Sequence, residues 1–142
     1  RIISQRAPVV LARDQAWWVP QPLDVAAMRE ASQYLLGKRD FSTFRASQCQ
    51  ANSPLRTLDV LDVSASDAGI DIVARARSFL HSQVRSMAGA LKLVGQGKWQ
   101  PEDMKAALEA ADRRACAPVA PAYGLTFMSV DYPHDMLVEP KK

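Results

Sequence analysis

The sequence predicts an α+β fold, an antiparallel or mixed sheet with helices packed on one face. Three observations carry the prediction. Apolar residues alternate with period two in some segments and recur at helical spacing in others. A hairpin lies in the middle of the chain. The order of elements is strand(s), helix, hairpin, helix, helix, strand, which segregates the helices from the strands they cover. At 142 residues the chain fits one domain, residues 1–142. A chain of this size buries roughly 68–70% of its unfolded surface, enough for a proper core.

Residues 1–4 read as the tail of a strand, and Ala7-Pro8 through Asp14 as a connection. Ala16-Trp17-Trp18-Val19 is a short strand or aromatic anchor, closed by Pro20 and Pro22. Asp24 suits a helix N-cap, because its carboxylate can accept from a first-turn N–H. Val25, Met28, Ala31 and Leu35 then form an apolar stripe, and Gly37 ends the helix. Lys38 to Pro54 reads as loop, with few strong apolar runs.

Arg56 to Ser64 reads as a strand. Leu58 and Val60 alternate, but Leu61 and Val63 continue on the other phase, which marks a bulge. Ser66 to Gly69 is a turn. Ile70 to Phe79 is the returning strand, with Ile70, Ile72, Ala74 and Ala76 on one face and Asp71, Val73, Arg75, Arg77 and Phe79 on the other. The pair makes a hairpin.

The next helix is expected from near Ser78 to Gly95, with Leu80, Val84, Met87, Ala88, Leu91 and Val94 facing the core. His81, Arg85 and Lys92 share its polar face. Gly97-Lys98-Trp99 breaks it. Pro101 suits the first position of a third helix, Glu102 and Asp103 its first turn and Arg113-Arg114 its last. Met104, Ala107, Leu108 and Ala111 are its apolar face. Leu125 to Tyr132 reads as a final strand, and the tail to Lys142 as frayed. This order fits a ferredoxin-like βαββαβ plan with one extra helix.

The net charge of +3 is uneven: residues 1–56 carry +4 and residues 57–142 carry −1. A basic surplus is compatible with a polyanionic partner or with an ordinary soluble surface. No apolar run approaches the ~20 residues of a membrane span, and no secretory leader is visible. The first residue is Arg1 rather than methionine, which suggests a piece of a longer protein. Cys49 and Cys116 are the only cysteines, without a CxxC pair or a histidine cluster. Reduced thiols in an intracellular protein are the expectation, and no zinc site is.

Nucleophile-elbow, phosphate-loop and HExxH patterns are absent. His81 and His134 are isolated. Asp59, Asp62, Asp67 and Asp71 cluster around the hairpin, where a metal-dependent nuclease would want carboxylates. They read as its solvated ends, and no metal is expected. Arg75, Arg77, Phe79, His81 and Arg85 remain, running from a strand onto a helix. They read either as a solvated face or as a surface for neutralising phosphates and stacking bases.

Four ordered segments add a family resemblance. They are Asp40-Phe41-Ser42-Thr43-Phe44-Arg45-Ala46, Ser53-Pro54-Leu55-Arg56-Thr57-Leu58, Phe79 to Gly89, and Ala120-Pro121-Ala122-Tyr123-Gly124-Leu125 with Asp131-Tyr132-Pro133. The set resembles the C-terminal domain of the TruA-type tRNA pseudouridine synthases, whose patterns are DFSxFRA, SPxRT, FLHxMVRNMVG and APxxGL…VxYP. The chain departs from them at Arg77, Ser82, Gln83 and Ser86 and keeps Arg85.

The resemblance implies isomerisation of uridine to pseudouridine in the anticodon arm of tRNA, at positions 38 to 40, with no cofactor. It implies a homodimer in the cytoplasm. The family's catalytic aspartate sits in a GRTDxGVHA-like motif, and no Arg-Thr-Asp occurs in this chain. That aspartate and the family's active-site tyrosine would lie upstream, in an N-terminal domain, leaving this fragment inactive alone. Arg85 would pair with the aspartate. Phe79 and Leu80 would wall the pocket. Arg45, Arg75, Arg77 and His81 would contact RNA, and Phe41 and Phe44 would lie on the RNA side or in the core. Two alternatives stay open: a non-catalytic RNA-binding module of ferredoxin-like fold, or an interaction domain using Trp17-Trp18 and Met136-Leu137-Val138.

Overall fold

A computed structural model describes residues 1–132. Its order is β1 (Ile2–Ser4), β2 (Trp17–Val19), α1 (Val25–Gln33), β3 (Gly37–Asp40), β4 (Leu55–Ser66), β5 (Gly69–Ala76), α2 (Gln83–Gly95) and α3 (Pro101–Ala110), with short 3₁₀ turns at Ser42–Phe44, Arg113–Ala115 and Ala122–Gly124. The fold is α+β. The sheet is open, five-stranded and mixed, in the order β2-β1-β5-β4-β3. Only β1 and β2 run parallel, and the remaining neighbours are antiparallel.

The central hairpin forms as expected, including the bulge. Leu58 pairs with Ala76 and Val60 with Arg75, so Asp59 is the extra residue. The bulge returns Leu61 and Val63 to the face of Leu58, and all three are buried. Met28, Ala31 and Leu35 of the α1 region, Met87, Leu91 and Val94 of α2 and Met104 of α3 complete one core against that face. The other face keeps Thr57, Asp62, Val73, Arg75 and Arg77 exposed.

Asp24 caps α1 as expected, accepting from the Ala27 N–H at 3.1 Å. A reciprocal cap of Gln100 and Asp103, with Pro101 at the start, opens α3. Several expectations differ from the structure. The first helix ends at Gln33, and Gly37, expected to end it, opens β3. Lys38–Asp40 is not loop but part of edge strand β3, paired with Leu55–Thr57. The β5 strand ends at Ala76 rather than Phe79. The α2 helix starts at Gln83, because Ser82 adopts a left-handed φ of 60° and the Gln83 side chain turns back to accept from the Leu80 N–H at 2.9 Å. The α3 helix stops at Ala110. That leaves Ala111 exposed and Arg113 free to donate to the Thr43 carbonyl at 3.3 Å.

Leu125 to Tyr132 forms no strand. Its apolar residues change phase between Phe127 and Met128, a strand needs a ladder partner, and β2 pairs only with β1 among the described residues. Leu125, Phe127, Met128, Val130 and Tyr132 are all exposed. His134 and the Met136-Leu137-Val138 segment lie outside the described residues. No helix among the described residues is long and apolar enough to cross a membrane.

Candidate active-site half around Arg85

Arg85 lies in the first turn of α2, half-buried. Residues 117–125 cross that helix and fix it. The Ala120 N–H donates to the Arg85 carbonyl at 3.1 Å, and Arg85 Nε donates to the Ala120 carbonyl at 2.8 Å. Backbone and side chain of one residue are thus tied to one partner. The crossing is close because position 89 is glycine. A Cβ there would stand 2.0 Å from the Pro118 carbonyl oxygen, far inside van der Waals contact.

Arg85 lines a small cavity of about 40 Å³. Val84 and Ala88 of α2, Ile2, Trp17, Ile72 and Pro121 supply its apolar walls. The terminal nitrogens of Arg85 have no hydrogen-bond partner among the described residues. No carboxylate among the described residues lines the cavity. Arg1 also lines the cavity, but its side chain is paired with Asp71, which leaves Arg85 as the cation able to attract a carboxylate and favour its ionised form.

The sequence-predicted residues divide into three places. Arg85 sits on the helix-covered side, since its neighbour Ile72 pairs with buried Val63. Arg75 and Arg77 alternate onto the opposite, open face. The expected single surface from Arg75 to Arg85 is therefore two surfaces, separated by the sheet. His81 and Arg45 meet in a third place. The Ala46 N–H donates to the His81 carbonyl at 2.9 Å, and Arg45 Nη2 donates to the Cys49 carbonyl at 3.3 Å.

Leu80 is buried in the core and Phe79 is half exposed, and neither lines the Arg85 cavity. Phe41 and Phe44 are fully buried, with ring centroids 6.5 Å apart. Lys92 lies over the Trp17 ring at 5.3 Å from its centroid. Asp71 pairs with Arg1 at 2.8 Å, and no cluster of three metal-ligating side chains occurs among the described residues. The two cysteines are free.

Sequence reasoning missed the residues that hold Arg85. Ala120 acts only through its backbone, and Gly89 through an absent side chain. Their signal was their place inside two of the ordered segments.

Comparison with known proteins decides the family. The family model for tRNA pseudouridine synthase matches residues 31–133. The chain belongs to the tRNA pseudouridine synthase family. Among curated relatives, the tRNA pseudouridine synthase A of Sinorhizobium fredii is 63% identical over 132 residues, covering 93% of this chain and 53% of the relative. That of Rhizobium leguminosarum bv. trifolii is 62% identical over 133 residues, covering 94% and 50%. That of Xanthobacter autotrophicus is 59% identical over 132 residues, covering 93% and 54%. The chain spans about half the length of the curated relatives it matches. Within this family member, the Phe79–Gly89 and Ala120–Leu125 segments meet at Arg85.

Proposed function

We propose that this chain, a single domain, is the C-terminal half of a tRNA pseudouridine synthase, with its catalytic aspartate on the other half. One observation carries the reading: Arg85 is held at two points, yet among the described residues its terminal nitrogens have no partner and no carboxylate lines the cavity beside it. The likeness to tRNA pseudouridine synthase A supports the reaction. The C1′–N1 bond of uridine breaks, the base turns, and a C1′–C5 bond forms. The proton lost from C5 is balanced by one gained at N1, so the step is an isomerisation that needs no cofactor.

The uridine leaves its stack to be reached. In such a closed pocket, desolvation raises the aspartate pKa, and an arginine within ~4–6 Å lowers it by ~1–3 units. Arg85 is the ion-pair partner that keeps the nucleophile charged and aimed. Arg45, Arg75, Arg77 and His81 contact the anticodon arm in this reading. The family resemblance supports a homodimer acting in the cytoplasm.

The test uses the full-length protein and an anticodon-arm transcript, with pseudouridine measured against pH. Arg85→Ala is expected to raise the acid-limb pKa of the rate by ~1–3 units, and Arg85→Lys to restore much of it. An unchanged profile in Arg85→Ala removes the assigned role. The exposed Arg75 and Arg77 also suit a non-catalytic RNA-binding module. That reading predicts tRNA binding by the full-length protein without any pseudouridine.

A further inference from the structure

Gln83 opens α2 and is completely buried. It does not line the Arg85 cavity. We propose that Gln83 is a positioning residue for the isomerisation. By fixing where α2 starts, it keeps Arg85 and the first turn of that helix beside the cavity. The inference rests on the pseudouridine synthase reading above and deepens it, adding a residue that acts on the site from the core.

A ring of two hydrogen bonds does the fixing. Gln83 Oε1 accepts from the Leu80 N–H at 2.9 Å, and the Gln83 N–H donates to the Leu80 carbonyl at 3.0 Å. Leu80 and Gln83 thus hold each other from both sides of His81 and Ser82. Leu80 is itself buried in the core, and the His81 carbonyl accepts from the Ala46 N–H at 2.9 Å. Inside the ring Ser82 sits at a φ of 60°, a left-handed conformation that sterics disfavour for any residue with a Cβ. The Ser82 side chain makes no capping bond, so the restraint comes from Gln83.

Where the helix starts decides what the cavity meets. Val84, Arg85 and Ala88 line it. Because α2 begins at Gln83, the N–H groups of Val84 and Arg85 have no acceptor within the helix and no other partner among the described residues. The positive end of the helix dipole therefore lies beside the same cavity as the Arg85 charge. The spacing of Leu80 and Val84 also suits a helix that starts one turn earlier. With Ser82 right-handed, the Leu80 and His81 carbonyls would take those two N–H groups, and the positive end would move a turn away from the cavity.

An apolar residue would be the ordinary occupant of so buried a position. A buried amide costs free energy unless its hydrogen bonds are made, and Gln83 makes only half of them: its Nε2 has no partner among the described residues. Methionine, which the pattern FLHxMVRNMVG has here, fills a similar volume without that cost. What the amide contributes is the Oε1 bond to Leu80. The device thus belongs to this chain's own turn, where Ser82 needs it.

The experiment uses the full-length protein and an anticodon-arm transcript, at a temperature where circular dichroism shows each variant folded. Gln83→Met is expected to lower kcat about 10- to 100-fold with little change in KM, the effect of a misplaced group beside the chemistry. Ser82→Gly added to Gln83→Met should restore most of the rate, because glycine takes a positive φ freely. Ser82→Val with Gln83 intact should reproduce the loss, because a β-branched residue resists that φ; it carries the same comparison should Gln83→Met fail to fold. A residue that served stability alone would move the unfolding midpoint and leave kcat of the folded enzyme unchanged. Wild-type kcat in Gln83→Met or in Ser82→Val overturns the proposal, and so does a loss that Ser82→Gly leaves unrepaired. A second readout needs no turnover. The Arg85 Nε–H resonance, bonded to the Ala120 carbonyl at 2.8 Å, should shift in Gln83→Met and return with Ser82→Gly, and an unmoved resonance overturns the proposal. Failure of the isomerase reading, seen as a wild-type protein that makes no pseudouridine, is therefore a separate result.

Discussion

Gly89→Ala sets two well-defined effects against each other. Alanine in a helix interior is favoured over glycine by about 1 kcal/mol. Here the added Cβ would meet the Pro118 carbonyl oxygen at 2.0 Å and its carbon at 3.0 Å. The 117–120 segment must retreat by at least about 1 Å to restore ordinary contact. That retreat breaks the Ala120 N–H bond to the Arg85 carbonyl and the Arg85 Nε bond to the Ala120 carbonyl. The first is worth about 0.5–1.5 kcal/mol, and the second, being charged, about 1.5–3 kcal/mol. After the helical gain, a net loss of roughly 1–3 kcal/mol remains, or about 4–10 °C in Tm for a chain of this size. Thermal denaturation followed by circular dichroism reads the sign directly. The Arg85 Nε–H proton resonance should also lose its hydrogen-bonded shift. A variant as stable as wild type, or more stable, would show that helix propensity governs position 89 and that the crossing segment does not hold Arg85.

Three further outcomes follow from buried or titrating groups. Thr43 is fully buried; its Oγ1 donates to the Ala107 carbonyl at 2.6 Å and accepts from the Asp112 N–H at 3.1 Å. Thr43→Val should cost about 1–3 kcal/mol in urea unfolding, since it strands both partners, and a neutral result would refute that accounting. Hydrogen bonds from the backbone at Ala51 and His81 lower the Cys49 thiol pKa, whereas burial raises that of Cys116. Iodoacetamide at neutral pH should therefore label Cys49 first, as mass spectrometry would show, because the thiolate is the reacting form. The Arg1 hydrogen bond and charge hold Asp71 below the ordinary carboxylate pKa. Its contribution is complete above the unfolded carboxylate value and is lost as pH falls through the lowered folded one. Asp71→Asn should flatten the acid limb of stability by less than about 1 kcal/mol, because the pair is exposed and screened. An acid limb identical to wild type would count against the ion pair.

Elements with an apolar signature were legible in the sequence. The α1 stripe, the bulged hairpin and the start of α3 all place Leu, Ile, Val, Met or a capping residue where burial or an orphan N–H requires one. The β3 strand was not legible, because Gly37-Lys38-Arg39-Asp40 contains no large apolar side chain. Charged residues are what an edge strand uses to discourage further pairing, and they read as loop. The start of α2 was misplaced because Ser82 reverses its backbone sign while Leu80 and Val84 keep a helical spacing. The final strand failed for the opposite reason: Leu125–Tyr132 is rich in apolar residues but has no partner among the described residues. Arg85 was legible as a charge beside an apolar face. Its bond to Ala120 was not, since a backbone carbonyl leaves no mark on residue type.

The exposed Leu125–Tyr132 segment bears on how this chain behaves at high concentration. Leu125, Phe127, Met128, Val130 and Tyr132 present apolar side chains on backbone without a ladder among the described residues. Such a segment is a template for intermolecular strand addition. The net charge of +3 is spread over the whole molecule and opposes close approach only weakly at physiological ionic strength, where charges are screened beyond about 8 Å. Polar substitutions at Phe127 and Met128, the most exposed of these side chains, are therefore expected to lower aggregation of the isolated chain, as light scattering would show.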